Sequence, residues 1–228
     1  MKTRQLKDLL YEQVARIGKA LASPKRLELL EMLAQSEKSV ETLTAELGID
    51  VKLASAHLKA LKAACLVQSR REGKYVLYRL SSDGVAQLGI ALRTVAEQHL
   101  GEMRQALQQL VSDPQHLTSL THDELLAQAR RGEVVVIDVR PQAEFDAAHL
   151  PHARSVPLAE LERRMAELPR DRDIIAYCRG PFCMLSDEAV QRLLAHGYRA
   201  QKITDGVSEW RAAGFALEAA ESAASSSA

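Results

Sequence analysis

Two of the chain's three cysteines lie five residues apart in the stretch "YCRGPFCM", Tyr177 to Met184. The apolar run before this stretch predicts a strand, and "SDEAVQRLLAHG" after it predicts a helix. Backbone N–H groups in a loop of this kind turn inward, and with the positive end of the helix dipole they stabilise an anion. We therefore predict that Cys178 has a lowered pKa and reacts as a thiolate or carries a persulfide.

The residues after Cys178 each have an expected part in this chemistry. Arg179 adds positive charge that steadies the sulfur anion or attracts an anionic sulfur donor, and Gly180-Pro181 lets the chain curl tightly. The thiol of Cys183 either folds back and resolves a persulfide, or packs beneath the loop while its backbone N–H faces the anion. The predicted site is the nucleophile Cys178 with Arg179, Gly180, Pro181, Phe182, Cys183 and Met184.

The charge distribution predicts two domains in the 228 residues. Residues 1–110 carry 17 Lys and Arg against 12 Asp and Glu, a net charge of +5, and the remainder carries 13 against 18, a net charge of −5. A basic half joined to an acidic half is expected when only one part meets nucleic acid. We predict domains at 1–110 and 117–220, a linker at 111–116 and a flexible tail at 221–228.

Neither a membrane helix nor a signal peptide is expected. No run approaches the roughly 18 apolar residues that a membrane helix needs, and the polar start "MKTRQLKD" lacks an apolar core. Three cysteines are too few for a disulfide scaffold in a chain of this length. The sequence therefore predicts a cytoplasmic protein.

The basic half has the pattern of a winged helix. Apolar residues at helical spacing predict helices over 5–21 and 24–34, with Ser23-Pro24 as N-cap and first-turn proline. "SVETLTAELGI" and "DVKLASAHLKALKAA" predict a helix-turn-helix around Gly48, with Asp50 as the second cap. "CLVQSRR" and "KYVLYRL", joined across Glu72-Gly73, predict a β-hairpin.

A basic surface accompanies this pattern. Between Lys52 and Arg79 there are seven basic residues and one acidic residue, Glu72. We expect Leu53, Leu58 and Leu61 to be buried, so that the opposite face of the second helix meets a DNA groove while the hairpin reaches phosphates. An ordinary solvated lysine face is the alternative. The predicted DNA-binding residues are Lys52, Ser55, Ala56, His57, Lys59, Arg70, Arg71 and Lys74.

"IGKALASPKRLELLEML", "AHLKALKAACLV" and "SRREGKYVLYRL" resemble the ArsR/SmtB family of winged-helix repressors. The resemblance implies binding to double-stranded operator DNA as a homodimer through the first and last helices of the domain. The family's metal-sensing positions are not matched, because "SVETLTAEL" lacks cysteine and a lone Asp83 or His99 cannot complete a zinc site. We expect one long last helix with the apolar stripe Val85, Leu88, Leu92, Val95, His99, Met103, Leu107 and Leu110. Cys65 is expected to be a semi-buried residue at the root of the hairpin.

The acidic half alternates helices and short apolar strands, which predicts an α/β domain with a parallel sheet and a site at the carboxyl ends of its strands. It resembles the rhodanese family of sulfurtransferases in "VVVIDVRPQAEFDAAHLPHARSVPL", "YCRGPFCM" and "DGVSEWRAAGF". The resemblance implies that Cys178 takes sulfur from thiosulfate or a low-molecular-weight persulfide. It also matches Asp138 and Arg140 to the family's Asp-x-Arg strand end, which we interpret as a salt bridge supporting the loop.

Other interpretations of the loop are weaker. Phosphatases related to this fold need an arginine six residues after the cysteine, where this chain has Met184. A metal clip needs two more ligands, and none has a suitable spacing, so no metal or other cofactor is expected. A catalytically silent domain remains an alternative.

We therefore predict a dimeric winged-helix regulator, a repressor by its resemblance, fused to a rhodanese domain whose Cys178 persulfide adjusts DNA binding. One alternative is a sulfurtransferase in which DNA binding is secondary. The other is a metalloid-responsive repressor that uses Cys178 and Cys183.

Overall fold

The computed structural model describes residues 3–110 and 113–220. The chain divides into two compact units, Met1–Leu92 and Arg93–Ala228. The predicted boundary at residue 110 stays a prediction. Part of the predicted linker and the whole predicted tail at 221–228 lie outside the described residues. Within the described residues, no helix is both long and apolar enough to cross a membrane.

Four helices form the first part of unit 1: α1 (Thr3–Leu21), α2 (Pro24–Gln35), α3 (Val40–Leu47) and α4 (Val51–Ala63). The Ser39 hydroxyl accepts from the Thr42 amide at the start of α3, and the Asp50 carboxylate accepts from the Leu53 amide at the start of α4. Gly48 ends α3 in the left-handed conformation that glycine adopts at low cost. Ser23 occupies the predicted N-cap position of α2 without a side-chain cap bond.

The predicted hairpin forms from β2 (Val67–Glu72) and β3 (Tyr75–Leu80). Glu72 pairs with Tyr75, so Gly73 and Lys74 make the two-residue turn, and Gly73 has a φ of 58°. A short strand, β1 (Lys38–Ser39), adds to β3 in antiparallel pairing, which the sequence analysis did not predict. The unit is thus a helix-turn-helix with a three-stranded wing.

Two predictions about α4 and its end are wrong. Leu53 is 40% exposed, whereas Ala54, Leu58 and Leu61 share the buried face, because Leu53 lies about 100° around the helix from Ala54. Cys65 is exposed with a φ of 60°. It occupies the left-handed position of a Schellman motif, in which the amide of the following residue donates to the Leu61 carbonyl.

The predicted single last helix is in fact two helices, α5 (Asp83–His99) and α6 (Gly101–Leu110). The Arg104 guanidinium donates to the carbonyl oxygens of Glu97 at 3.1 Å and Gln98 at 2.9 Å. An unbroken helix would pair these oxygens with the amides four residues on. The arginine side chain therefore satisfies the carbonyls at the break.

Leu88, Leu92 and Val95 of the predicted stripe are exposed, and Val85 is buried.

The second unit contains a four-stranded sheet of order β5-β4-β6-β7 in which all neighbours are parallel, as predicted. Side chains alternate between its faces: Val135 and Ile137 pack into one apolar cluster, and Val134 and Val136 into another. The strands are β4 (Val134–Asp138), β5 (Arg154–Ser155), β6 (Asp173–Tyr177) and β7 (Ala200–Lys202). The helices are α7 (His122–Arg131), α8 (Gln142–Ala147), α9 (Leu161–Arg164), α10 (Leu185–Ala195) and α11 (Val207–Ala212).

Candidate functional site

Cys178 directly follows β6, at the carboxyl end of a central strand of the parallel sheet. Its side chain is only 2% exposed and belongs to the apolar cluster on one face of the sheet. Gly180, with a φ of 146°, turns the chain immediately after it, a conformation that side chains with a Cβ rarely adopt. The loop then enters α10 at Leu185. The sulfur therefore lies between a strand end and a helix N-terminus.

Hydrogen-bond donors surround the Cys178 sulfur. The Ser186 hydroxyl oxygen lies 3.3 Å from it, and in its thiol form the sulfur donates to the Cys183 carbonyl oxygen at 3.3 Å. Burial raises the pKa of Cys178, but hydrogen bonds from the Cys183 thiol, the Ser186 hydroxyl and amide, and the Gly180 amide outweigh it and lower the pKa to about 6. The loop thus favours a sulfur anion near neutral pH.

The Cys183 thiol has the opposite tendency. Its hydrogen bond to the Cys178 sulfur, together with burial, raises the pKa of Cys183 well above that of an ordinary thiol. Cys183 is half-buried and packs against the same apolar cluster as Cys178. While Cys178 is an anion, Cys183 therefore acts as a hydrogen-bond donor and not as a second thiolate.

The placement of Arg179 differs from the prediction. Its guanidinium binds the fully buried carboxylate of Glu144 in α8, with Nη2 2.5 Å from Oε1 and Nε 3.0 Å from both oxygens. The hydrogen bonds that lower the pKa of Cys178 most come from Cys183, Ser186 and Gly180. The charge of Arg179 offsets Glu144, because a buried carboxylate without a partner is costly. The two residues are 35 positions apart, and no sequence pattern predicts that they pair.

Asp138 and Arg140 form the salt bridge interpreted from the sequence. Both side chains are fully buried, Arg140 Nη2 lies 2.6 Å from Asp138 Oδ2, and Nε contacts both carboxylate oxygens. Nη2 also donates to the Ala148 carbonyl at 2.7 Å. Nη1 lies 4.0 Å from Glu144, the carboxylate that holds Arg179. A chain of alternating charges thus connects the end of β4 to the cysteine loop.

Three further residues support the loop and were not predicted. Ser186 contacts the sulfur, and Lys202 at the end of β7 binds Asp187 of α10 with Nζ 2.8 Å from Oδ1. A Cβ placed on Gly206 would lie 2.4 Å from the backbone carbonyl carbon of Arg179. Gly206 belongs to the quoted "DGVSEW" stretch, and Ser186 opens the predicted helix. Both residues lie in stretches that the sequence analysis used, but neither stretch predicts a contact between its residue and the cysteine loop.

We expect an ultraviolet titration of the thiolate to detect these hydrogen bonds. In a Cys65→Ser background, the midpoint assigned by subtracting a Cys178→Ser variant should lie near 6. Ser186→Ala should raise this midpoint by about one unit, because a hydrogen bond to a charged group contributes about 1.5–3 kcal/mol.

Ser208→Ala is the matched control, since Ser208 is also buried and its hydroxyl has no hydrogen-bond partner. An unchanged midpoint in Ser186→Ala would contradict a role for this hydroxyl.

The predicted DNA-binding residues differ in their exposure and in whether their side chains already bind a carboxylate. Lys52, Ala56 and Lys59 are exposed on α4, and Ser55 and His57 are half-buried there. Arg71 and Lys74 are exposed on the wing. Arg70 is also exposed, but its guanidinium binds both carboxylate oxygens of Glu37 and contacts Glu72, and its role in DNA binding stays a prediction. These hydrogen bonds raise the pKa of Arg70 further.

On the wing, we expect Arg71→Ala and Lys74→Ala each to weaken DNA binding at low salt and to reduce the slope of log K against log salt by about one, since each removes a predicted phosphate contact. Arg70→Ala should have a smaller effect, because Glu37 and Glu72 already neutralise its charge. Fluorescence anisotropy over a salt series measures all three. An equal loss for Arg70→Ala would contradict the assignment.

Among residues 3–110 and 113–220, no group of three or more His, Cys, Asp or Glu side chains is arranged to hold a metal ion.

Comparisons with known proteins address both units. Residues 23–69 match the arsR family of bacterial regulatory proteins, and residues 121–213 match the rhodanese-like domain. A sulfurtransferase of Allochromatium vinosum is 32% identical over 39% of this chain and 82% of its own length. The solution structure of a homodimeric winged helix-turn-helix DNA-binding domain from Mycobacterium bovis is 43% identical, covering 45% of this chain and 93% of that one, with a TM-score of 0.41.

A longer relative spans both units. An HTH-type transcriptional regulator of Mycobacterium tuberculosis is 42% identical over 212 residues, which cover 93% of this chain and 93% of that protein. The chain therefore belongs to the arsR family of transcriptional regulators and carries a rhodanese-like domain in its C-terminal half.

Proposed function

We propose that this regulator carries a persulfide on Cys178 and that the sulfur state of the rhodanese-like domain adjusts its binding to double-stranded operator DNA. The observation that carries the proposal is the anion-stabilising set of donors around a buried cysteine with a pKa of about 6. Such a site holds a persulfide anion as well as a thiolate, since both are soft anions that accept the same hydrogen bonds. The arsR family match supports DNA binding as the output.

Cys183 is proposed as the resolving thiol. Its thiol donates to the Cys178 sulfur, so the two side chains are already in contact. Attack of the Cys183 sulfur on the inner sulfur of the Cys178 persulfide forms a disulfide and releases hydrosulfide, with no external oxidant needed. The raised pKa of Cys183 keeps this step slow at neutral pH.

Gel-shift titrations on operator DNA test the coupling. Wild type and Cys178→Ser are compared with and without a persulfide donor. We expect the donor to change the affinity of wild type only. Equal affinities in all four cases would contradict the proposal. Cys183→Ser separates the resolving role, because a serine hydroxyl still donates to Cys178 but forms no disulfide; if the affinity change survives in this variant, the persulfide itself is the signal.

A working sulfurtransferase is the second candidate, favoured by the match to the sulfurtransferase of Allochromatium vinosum. It predicts sulfur transfer from donor to cyanide that Cys178→Ser abolishes, with operator binding unchanged by the donor.

The metalloid alternative predicts stoichiometric binding of As(III) to Cys178 and Cys183 with release of DNA. Isothermal titration with arsenite, followed by the same gel shift, distinguishes it from both sulfur mechanisms.

We also propose that the regulator acts as a homodimer through α1 and α5. The single chain exposes a row of large apolar side chains on α1, and exposed rows of this kind mark association surfaces. Sedimentation of wild type and of Leu10→Glu/Val14→Glu tests the assignment: wild type should sediment as a dimer and the variant as a monomer. The exposed residues are Leu6, Leu9, Leu10, Tyr11 and Val14 on α1 and Leu88 and Leu92 on α5.

A further inference from the structure

The pocket beside the cysteine loop contains little charge. Its walls come from residues 180–184 of the loop, from Ser186 in the first turn of α10, from residues 202–204 at and after the end of β7, and from Leu110 of α6. Among its lining residues, all of them in the described part of the chain, Lys202 alone has an ionisable cationic side chain. That ammonium group is 7% exposed and lies 2.8 Å from the Asp187 carboxylate. This cation is therefore already neutralised. A second cation, the Arg93 guanidinium, lies 5.5 Å from the ring centroid of Phe182 and is paired with the Glu209 carboxylate at 2.7 Å.

The other basic residue of the loop is neutralised in the same way. Arg179 is bound to Glu144, which is fully buried and has the guanidinium as a close partner at 2.5 Å. Releasing Arg179 toward a substrate would take its guanidinium away from the buried Glu144 carboxylate, from which Arg140 lies farther, at 4.0 Å. Such a release is unfavourable because a buried charge without a close partner costs several kcal/mol.

Two residues that line the pocket expose large apolar side chains. Met184 is 57% exposed and Phe182 is 40% exposed. Leu110, Pro181 and Ile203 also line the pocket. The half of the chain that contains the pocket also has a net charge of −5. Thiosulfate is a dianion with a strongly hydrated sulfonate-like end, and binding it here requires desolvation without a free cation.

Resting on the proposed function, we propose that Cys178 takes its sulfur from organic hydropersulfides with an uncharged, apolar group and discriminates against thiosulfate. The apolar group packs on Phe182 and Met184, and the backbone donors of the loop receive the sulfane sulfur. The Cys178 thiolate attacks the outer sulfur of R–S–SH, a new S–S bond forms to Cys178, and the R–S bond to that sulfur breaks. The thiolate R–S⁻ leaves and takes the proton, so Cys178 holds –S–S⁻ and no oxidant is consumed.

Loading rates on the full chain test this preference. Benzyl hydropersulfide, released from a stable precursor, is compared with thiosulfate, and mass spectrometry of the Cys178 peptide detects the addition of one sulfur atom. Each rate is divided by the rate of the same donor with free cysteine, which removes the donors' intrinsic reactivities. We expect this ratio to be roughly tenfold or more in favour of the hydropersulfide, a difference that one unfavourable burial of charge readily exceeds.

A positive charge introduced at Met184 tests directly whether a missing cation limits the loading of Cys178 by thiosulfate. Met184→Arg should raise the thiosulfate rate by about tenfold at low salt, and the gain should fall as salt screens it. Met184→Gln, which has similar size and no charge, should not raise it. Thiosulfate loading of wild type at a normalised rate equal to that of the hydropersulfide, or no gain in Met184→Arg, overturns the preference while the persulfide function stands. No loading of Cys178 by either donor overturns both.

Discussion

Replacing Gly206 with alanine is expected to reduce sulfur loading on Cys178 by about 100-fold or more, because misplacing a reacting group by roughly 1 Å has an effect of this size. The Cβ would lie 2.4 Å from both the carbonyl carbon and the carbonyl oxygen of Arg179, and 2.6 Å from the carbonyl oxygen of Cys178. All three are backbone atoms of the cysteine loop, so no side-chain rotation relieves the overlap. The loop itself must move away from its donors.

Mass spectrometry after treatment with a persulfide donor measures this loss directly. The DNA affinity of the untreated Gly206→Ala variant should equal that of wild type, since the winged-helix unit is unaltered. Thiolate titration should also place the pKa of Cys178 closer to that of an ordinary thiol, because the loop amides no longer reach the sulfur.

Gly214→Ala separates loop displacement from simple loss of stability. Gly214 has a φ of 86°, so alanine is strained there, but nothing lies within 4 Å of the position of its Cβ. The cost should be about 1 kcal/mol with sulfur loading retained. If Gly214→Ala loses loading as fully as Gly206→Ala, the close approach of Gly206 to the loop is not the cause.

Replacing Arg140 with methionine is expected to destabilise the rhodanese-like domain by about 3–5 kcal/mol, the usual effect of removing one partner of a buried ion pair. Burial lowers the pKa of Arg140, but its hydrogen bonds to Asp138 outweigh this and raise the pKa, so the guanidinium is charged. Without it, Asp138 keeps a fully buried charge and the Ala148 carbonyl loses a donor. The connection toward Glu144 and Arg179 is lost as well.

Trp210 makes this measurement specific to one domain. It is the chain's one tryptophan, and it is fully buried in the second unit. Its fluorescence during urea denaturation therefore reports the unfolding of that domain without a tryptophan signal from the winged helix. A shift of the midpoint at constant slope gives the change in the free energy of unfolding.

A double variant without either charge tests whether the unpaired Asp138 carboxylate causes the loss of stability in Arg140→Met. Asp138→Asn combined with Arg140→Met removes both charges, and we expect the double variant to lose less stability than Arg140→Met alone. Arg163→Ala is the surface control, because Arg163 is 76% exposed and its pair with Glu160 should contribute at most about 0.5 kcal/mol. A double variant less stable than Arg140→Met would show that packing, rather than the unpaired charge, dominates.

Local signals in the sequence predict most of the helices and strands and the position of Cys178 between a strand and a helix. Gly48, Asp50 and Gly132 mark helix ends through local chemistry, and each acts within a few residues of its own position. Cys178 was placed correctly at a strand end because strand and helix patterns on either side of a loop are local signals as well. Helix caps and the spacing of apolar residues involve only residues close together in the chain, so they can be predicted without knowing which distant residues pack nearby.

The tertiary structure shows which arginine side chains are already paired with a carboxylate. Glu37 lies 33 residues from Arg70, and Glu144 lies 35 residues from Arg179, yet each carboxylate holds the arginine that the sequence assigned to a ligand. Gly206 and Lys202 reach the cysteine loop from the end of the neighbouring strand. These pairings depend on how strands and helices pack, because charge interactions act through space whereas sequence patterns act along the chain. The position of Cys178 at a strand end was therefore predictable from the sequence, but the pairing of the charges around it was not.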